Sequence, residues 1–296
     1  MNKLVYIIIL NWNGFKDTIE CVKSCSKLTY SHFRILVVEN GSTDNSETVL
    51  REHFPNIEII QTGSNLGFAG GNNVGIRHAL TQGAEYVWLL NNDTTVDEDA
   101  LPALVGTAES DLSIGMVGSK ILLYDKQETI WFAGALHTPD RPYRPLHRGF
   151  LEKDRGQYDE TVETCFITGC SLLVKRKLIE DIGVLAEELF LYFEDTDWCT
   201  RAKAGNWRLM YSPPSRVFHK VSISVGGAES PLMFYYSARN LLYFVKRHFP
   251  DMFYRALAHD VFEFVLVNIK KGRMTAAMAA LKGIVDFFMA RTGENI

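Results

Sequence analysis

Tyr86-Val87-Trp88-Leu89-Leu90-Asn91-Asn92-Asp93 is the stretch on which the reading of this chain turns. Five apolar residues in a row, bounded by Gly83 upstream and by a polar cluster through Thr95 downstream, have the length and unbroken hydrophobicity of a strand covered on both faces. Buried parallel strands present their functional groups at the carboxyl edge of the sheet. Two amides and a carboxylate at that edge suit a divalent cation that keeps several waters and bridges to phosphate. They equally suit an ordinary turn, because Asn and Asp turn readily.

The same rhythm runs on both sides. Residues 4–10 are an apolar run followed by Asn11-Trp12-Asn13-Gly14, and Ile19, Val22, Cys25 and Leu28 then recur at helical spacing. Residues 33–38 form a second buried strand ending in Glu39-Asn40-Gly41-Ser42-Thr43-Asp44. A helix over 47–54, a short strand over 57–60, a Gly-rich loop over 63–73 and a helix through Leu80 lead back to Tyr86. Strand and helix alternating in this way predict a parallel sheet flanked by helices, with every polar loop on one edge. Further on, a helix is expected over 97–109 and a strand over 114–123. The Pro-, Arg- and His-rich stretch 131–159 reads as a long irregular excursion of the kind kept for binding. Residues 166–174 read as strand and 175–182 as helix, and an aromatic run over 189–193 delivers Glu194-Asp195-Thr196-Asp197-Trp198. A helix over 199–204 and a strand over 207–211 follow. Pro213-Pro214 reads as a turn, 216–221 carries His219, and helices fill the remainder from Ser230.

At 296 residues, 47% hydrophobic and 22% charged, the chain has the composition of a soluble globular protein able to bury a substantial core. A net charge of −4 offers no electrostatic case for nucleic acid. Five cysteines without metal-finger spacing read as thiols of a reducing compartment, with Cys21 and Cys25 on one helix face as core. Residues 4–10 are too short for a secretory signal, and no run reaches the roughly 18 apolar residues of a membrane span. A cytoplasmic protein is expected, with a peripheral seat at the inner face of the cell membrane open to it. Asn11-Trp12-Asn13-Gly14 does not supply the G-x-G-x-x-G of a dinucleotide enzyme. The glycine loop likewise lacks the Gly-Lys-Ser/Thr of a P-loop.

Several groups of side chains have chemistry to offer. Glu39 with Asp44 ends a strand where a carboxylate can accept hydrogen bonds from a base or ribose, or simply cap the next helix. Gly67, Gly70 and Gly71 allow close backbone approach. Glu194, Asp195 and Asp197 exceed what a helix cap needs, and one of them can act as a base toward a hydroxyl. His219 is an available metal ligand or a core imidazole. Arg239 can grip phosphate from a helix whose apolar face is Leu241, Leu242 and Phe244.

Taken in order, Asn11-Trp12-Asn13-Gly14, Glu39-Asn40-Gly41-Ser42-Thr43-Asp44, the 65–73 glycine segment, Asn91-Asn92-Asp93, Thr168-Gly169, Glu194-Asp195-Thr196-Asp197, His219 and Tyr235-Tyr236 with Arg239-Asn240 resemble the inverting family 2 glycosyltransferases of GT-A fold, above all their rhamnosyltransferase-like branch. The resemblance covers about residues 4–250. It implies an α/β architecture with a Rossmann-like, mostly parallel central sheet, a catalytic domain over 1–250 and a C-terminal helical extension over 251–296. It implies Asp195 as the general base, and Asp93 and His219 as ligands of Mg²⁺ or Mn²⁺. The family's Asp-x-Asp begins here with Asn91, which removes one charge. A dTDP- or UDP-sugar donor would meet Asn11, Asn13, Glu39, Asn40, Asp44, Asn65, Gly67, Asn72, Asn92, Tyr235, Arg239 and Asn240. A polysaccharide or lipid-linked acceptor would meet Thr168, Gly169, Glu194 and Trp198. L-Rhamnose from dTDP-rhamnose is the expected donor sugar, with a UDP-hexose or UDP-N-acetylhexosamine the nearest competitor and an inactive nucleotide-sugar-binding partner the reading from another class. The helices after Met252 expose an apolar face followed by Lys270, Lys271 and Arg273, which suits packing, a dimer face or a membrane surface.

Overall fold

The computed structural model describes residues 3–221 and 230–294. The first half alternates as its apolar periodicity dictates: Val5–Asn11 (β1), Phe15–Cys25 (α1), Phe33–Glu39 (β2), Ser46–His53 (α2), Glu58–Gln61 (β3), Gly67–Thr81 (α3), Tyr86–Asn91 (β4), Thr94–Val96 (β5) and Ala100–Glu109 (α4). The long strand Ile114–Leu123 (β6) turns back through Lys126–Phe132 (β7). A hairpin of Ala135–Thr138 (β8) and Arg141–His147 (β9) follows, then Val162–Glu163 (β10), Ser171–Lys175 (β11), Arg176–Ile182 (α5), Glu194–Ala204 (α6) and Arg208–His219 (β12).

Along the main sheet the order is β10-β12-β6-β11-β4-β1-β2-β3, with β5 added on β12 and β7 on β6. β3, β2, β1 and β4 pair in parallel, whereas β11 runs antiparallel to both β4 and β6. The sheet is thus largely parallel, as expected, with one reversed strand at its centre. Register aligns the strand ends: Asn11 lies opposite Glu39, and Leu10 opposite Asn91. Because β11 is reversed, its beginning lies at this edge, so Thr168 and Gly169 enter the site just before Ser171, which faces Leu90. Helices cover both faces, and Val5–Ile9, Leu36–Val38 and Tyr86–Leu90 form the heart of the core at 0–2% exposure. All five cysteines are free, with Cys21 and Cys25 buried on α1.

Four local expectations are corrected. The glycine segment is helical from Gly67, and a Cβ at Gly71 would stand 2.4 Å from Leu10 Cδ1, so its glycines seat α3 flush on β1. Residues 131–159 contain the end of β7 and the β8–β9 hairpin, whose Pro142 and Pro145 sit in a two-stranded sheet where their missing N–H groups are tolerated. Pro213-Pro214 is a bulge, not a turn: β12 continues through it, with its register against β6 jumping between Ser212 and Arg216. Residues 166–170 are not strand, and the aromatic run 189–193 is irregular backbone after a short helical turn over Glu187–Leu189.

The C-terminal helices Pro231–His248 (α7), Phe253–Asp260 (α8), Val267–Lys270 (α9) and Met274–Phe288 (α10), with a wide turn over Val261–Leu266, share a second core. It contains Leu241, Leu242, Phe244, Val245, Ala277, Ala280 and Phe287, and it takes in Tyr143 from β9. Apolar packing therefore groups α7 with the helices after residue 251. No helix among the described residues is long and apolar enough to cross a membrane. α10 approaches α7 so closely that a Cβ on Gly283 would lie 2.3 Å from the Tyr235 carbonyl oxygen. Gly283→Ala is expected to destabilise the protein by about 1–3 kcal/mol in chemical denaturation. Gly106→Ala, in open space on α4, is expected to be neutral or slightly stabilising.

Candidate active site

A cavity of about 610 Å³ opens at the carboxyl edge of the sheet and gathers residues from nearly every loop there. Asp93 follows β4, and His219 ends β12. The antiparallel pairing of β12 with β5 sets His219 opposite Thr94, which brings its Nε2 to 3.3 Å from Asp93 Oδ1. Both side chains are nearly buried, at 4% and 6% exposure. Burial opposes a charge on the imidazole, but Cys170 and Asp93 beside it hold its pKa well above the ordinary value. Trp131 meets the His219 ring edge-on at 4.7 Å, and His147 backs Trp131 at 4.8 Å. Burial pushes His147 down to about 4, so it is a neutral ring at pH 7. Among the described residues no cluster of three or more His, Cys, Asp or Glu side chains could hold a metal. One carboxylate and one imidazole at the cavity wall fit a cation that completes its shell from substrate phosphate and water.

Across the same cavity stands the N-terminus of α6. Asp195 is fixed by its backbone surroundings: Oδ2 accepts the Gly169 N–H at 2.9 Å, and Oδ1 accepts the Thr196 N–H at 2.7 Å. Burial raises its pKa, and those N–H groups pull it back toward the charged form. Glu194 lies deeper, its Oε2 buried with no hydrogen-bond partner among the described residues. Burial and the neighbouring Asp195 charge push it well above the usual carboxylate range. Asp197 is different in kind. Burial works against its charge, yet His248 at 2.8 Å and Arg201 at 2.7 Å reverse that and hold it at about 2. It ties α6 to α7 and does not line the cavity.

The segment leading into Glu194 has an unusual backbone. Phe190, Tyr192 and Phe193 all have positive φ, at 66°, 66° and 72°, a region that bulky residues enter only when held there. α7 supplies the hold. Asn240 Nδ2 donates to the carbonyls of Leu189, Leu191 and Tyr192 at 2.7–2.9 Å. Arg239 donates to the carbonyls of Leu189 and Gly293 at 3.1 and 2.7 Å, and to Asn240 Oδ1 at 2.9 Å. Both are fully buried.

The cavity therefore unites Asn40, Asn65, Gly67, Asn92, Asp93, Thr168, Gly169, Glu194, Asp195 and His219. Other residues named from the sequence do not line it. Asn11 donates to Glu39 Oε2 and accepts from Thr18, while Glu39 Oε1 accepts from the Ser42 N–H, all under the loop. Asn13 accepts from the N–H of Thr43, Asp44 accepts from that of Ser46, and Asn72 donates to the Phe68 carbonyl. Trp198 is a fully buried core residue donating to the Gly183 carbonyl, and Tyr235 donates to Asp286. Arg239 and Asn240 fix the loop behind the cavity and are not exposed within it. Among lining residues that sequence reasoning passed over are Trp12, Phe68, Trp131 and Phe190. Trp12 stood inside a motif already singled out; Trp131 carried no local signal.

A family model described as Glycosyl transferase family 2 matches residues 6–183, more than half the chain. The chain belongs to that family and is a glycosyltransferase; the match ends before Asp195. The N-acetylglucosaminyl-diphospho-decaprenol L-rhamnosyltransferase of Mycobacterium tuberculosis is 25% identical over 243 residues, 76% of this chain and 78% of that protein. The dTDP-rhamnosyl transferase RfbF of Shigella flexneri is 24% identical over 266 residues, 84% and 83%. The mannosyltransferase PcManGT of Pyrobaculum calidifontis, solved in complex with GDP-Man and Mn²⁺, superposes with a TM-score of 0.63 at 13% identity, covering 98% of this chain and 88% of that one. A likeness at that identity shows the fold, GT-A.

Asn240→Asp keeps the side chain's size but leaves the carbonyls of Leu191 and Tyr192 without their donor. It is expected to cost about 2 kcal/mol or more of stability. Limited proteolysis is expected to show faster cleavage within residues 188–193.

Proposed function

We propose that this protein transfers L-rhamnose from dTDP-rhamnose to a hydroxyl of a polysaccharide or lipid-linked glycan, with inversion, Asp195 acting as the base. The reading rests on one observation: Asp195, held by two backbone N–H groups, faces the Asp93–His219 pair across a single cavity. The names of the mycobacterial and Shigella relatives support the choice of sugar, and that of the mycobacterial protein supports a lipid-linked acceptor.

Asp195 takes the proton of the acceptor hydroxyl as that oxygen attacks the anomeric carbon. The bond from this carbon to the diphosphate oxygen breaks on the opposite face, and the nucleoside diphosphate leaves with the electron pair. A single displacement inverts the configuration and needs no covalent sugar–enzyme step. Asp93 and His219 would hold Mg²⁺ or Mn²⁺, which when bound supplies positive charge against the departing diphosphate. Glu194, whose pKa burial raises, would in its protonated form donate a hydrogen bond to an acceptor oxygen beside Asp195. Trp12, Trp131 and Tyr236 offer flat apolar walls to sugar and base rings. Arg239 and Asn240 act from behind, by holding the loop that carries the acids, and the Tyr235 ring backs Arg239.

Asp195→Asn is expected to abolish transfer while dTDP binding, read by calorimetry, stays within about twofold. Retained turnover in that variant overturns the assignment. Asp195 must be ionised to act, and burial raises its pKa. kcat/KM is therefore expected to fall on acidification through a limb lying above the ordinary aspartate value of about 4. Mn²⁺ with dTDP-rhamnose is expected to raise the melting temperature in a thermal-shift assay. That gain should vanish with EDTA and in Asp93→Ala. A gain confined to UDP-sugars would reassign the donor.

A further inference from the structure

α10 is apolar on two sides. Ala276, Ala277, Ala280, Gly283, Ile284 and Phe287 face α7 and are buried. Met274, Met278, Leu281, Val285 and Phe288 recur on the outside at helical spacing, at 42–67% exposure. That stripe runs for about 21 Å at 1.5 Å per residue. The neighbouring segment repeats the pattern, with Phe262, Leu266 and Ile269 exposed at 62%, 48% and 46%. A folded chain does not leave so long an apolar stripe in water without a use for it.

The charges beside it say what covers it. Between residues 270 and 291 the chain carries five cations, Lys270, Lys271, Arg273, Lys282 and Arg291, against one acid, Asp286. That acid is buried and bonded to Tyr235 and Arg291. The rest of the chain carries a net negative charge, so the cations are concentrated at this end. Lys270, Lys271 and Arg273 stand at the beginning of the stripe, Lys282 along it and Arg291 at its end. Parallel pairing with a second copy would set Lys270, Lys271 and Arg273 against their own counterparts, which disfavours that dimer through this face. The end of the stripe also adjoins the active site. Beyond Arg291, Gly293 donates to the Glu188 carbonyl and accepts from Arg239, and Glu294 lines the cavity.

We propose that the outer face of α10 and the adjoining 261–270 segment form a docking surface for an anionic lipid bilayer, with the apolar stripe seated among the acyl chains and the flanking cations on the headgroups. A basic amphipathic face lying in the interface plane has this division of labour. Seated in this way, the cavity rim stands at the membrane surface, where a lipid-linked acceptor is presented; that consequence rests on the acceptor proposed above, whereas the docking itself does not.

Co-sedimentation of the full chain with phosphatidylcholine vesicles, with and without phosphatidylglycerol, tests this. Binding to the phosphatidylglycerol vesicles, weakening as salt is raised, is expected. Met278→Glu/Phe288→Glu and Lys270→Glu/Lys271→Glu are each expected to weaken it at least about tenfold. Thermal stability and slow donor hydrolysis without acceptor should be unchanged in both, since all four residues are exposed. Absence of binding to anionic vesicles, or binding that neither double variant alters, overturns the proposal. So does a concentration-dependent dimer in sedimentation velocity that Met278→Glu/Phe288→Glu abolishes, which would assign the face to a second copy. Vesicle binding is read without sugar nucleotide, so a protein that docks but turns over no donor overturns the transfer reading alone.

Discussion

Three hydrogen bonds from one buried amide hold the acid side of this site. Asn240 donates to the carbonyls of Leu189, Leu191 and Tyr192, and between those contacts Phe190, Tyr192 and Phe193 are kept at positive φ. Without such restraint bulky residues leave that region, because their Cβ atoms crowd the backbone. The loop delivers Glu194 and Asp195 at the start of α6, so the position of the carboxylates is set from a helix lying some 50 residues later in the chain. Asp197 repeats the tie one turn on, through His248 and Arg247.

With the backbone fixed, electrostatics divides the acids. All three are acidic residues within four positions, yet their surroundings drive them to different states. Asp197 is surrounded by cations and its pKa is held at about 2; burial beside another carboxyl pushes that of Glu194 well up; that of Asp195 is also raised by burial, but two backbone N–H groups pull it back. Neighbouring like charges in a low-dielectric site cannot all ionise together. Burial thus disfavours two full charges side by side on Glu194 and Asp195.

The C-terminal helices thus do more than cover the enzyme. α7 positions the acid loop from inside, α10 seals α7 through a contact that only glycine at 283 allows, and the tail beyond α10 returns to the cavity rim. A cut near residue 250 would remove α10 from α7 along with the Gly293 carbonyl that Arg239 uses, so truncation would disturb the site as well as the outer surface.

Apolar runs with period-two or buried-strand character were sufficient to call β1, β2, β4 and β6, and with them the parallel sheet, because a continuous run bounded by Gly and Asn is a local signal. Asp93, His219, Glu194 and Asp195 were legible as types at strand and helix ends. Their convergence was not, since it depends on His219 pairing opposite Thr94 and on β11 running against its neighbours, both decided between segments far apart in the chain. Arg239 and Asn240 show the limit most clearly. As letters they suit a phosphate grip; only the folded chain sets them beneath a loop whose carbonyls face inward and need donors. Sequence alone determined most strands and helices of the first half and which residues carry reactive groups, because those are properties of neighbours along the chain. Tertiary structure decided which polar groups face the cavity and which are consumed in building it, because a buried donor must bond to whatever acceptor the fold brings within reach.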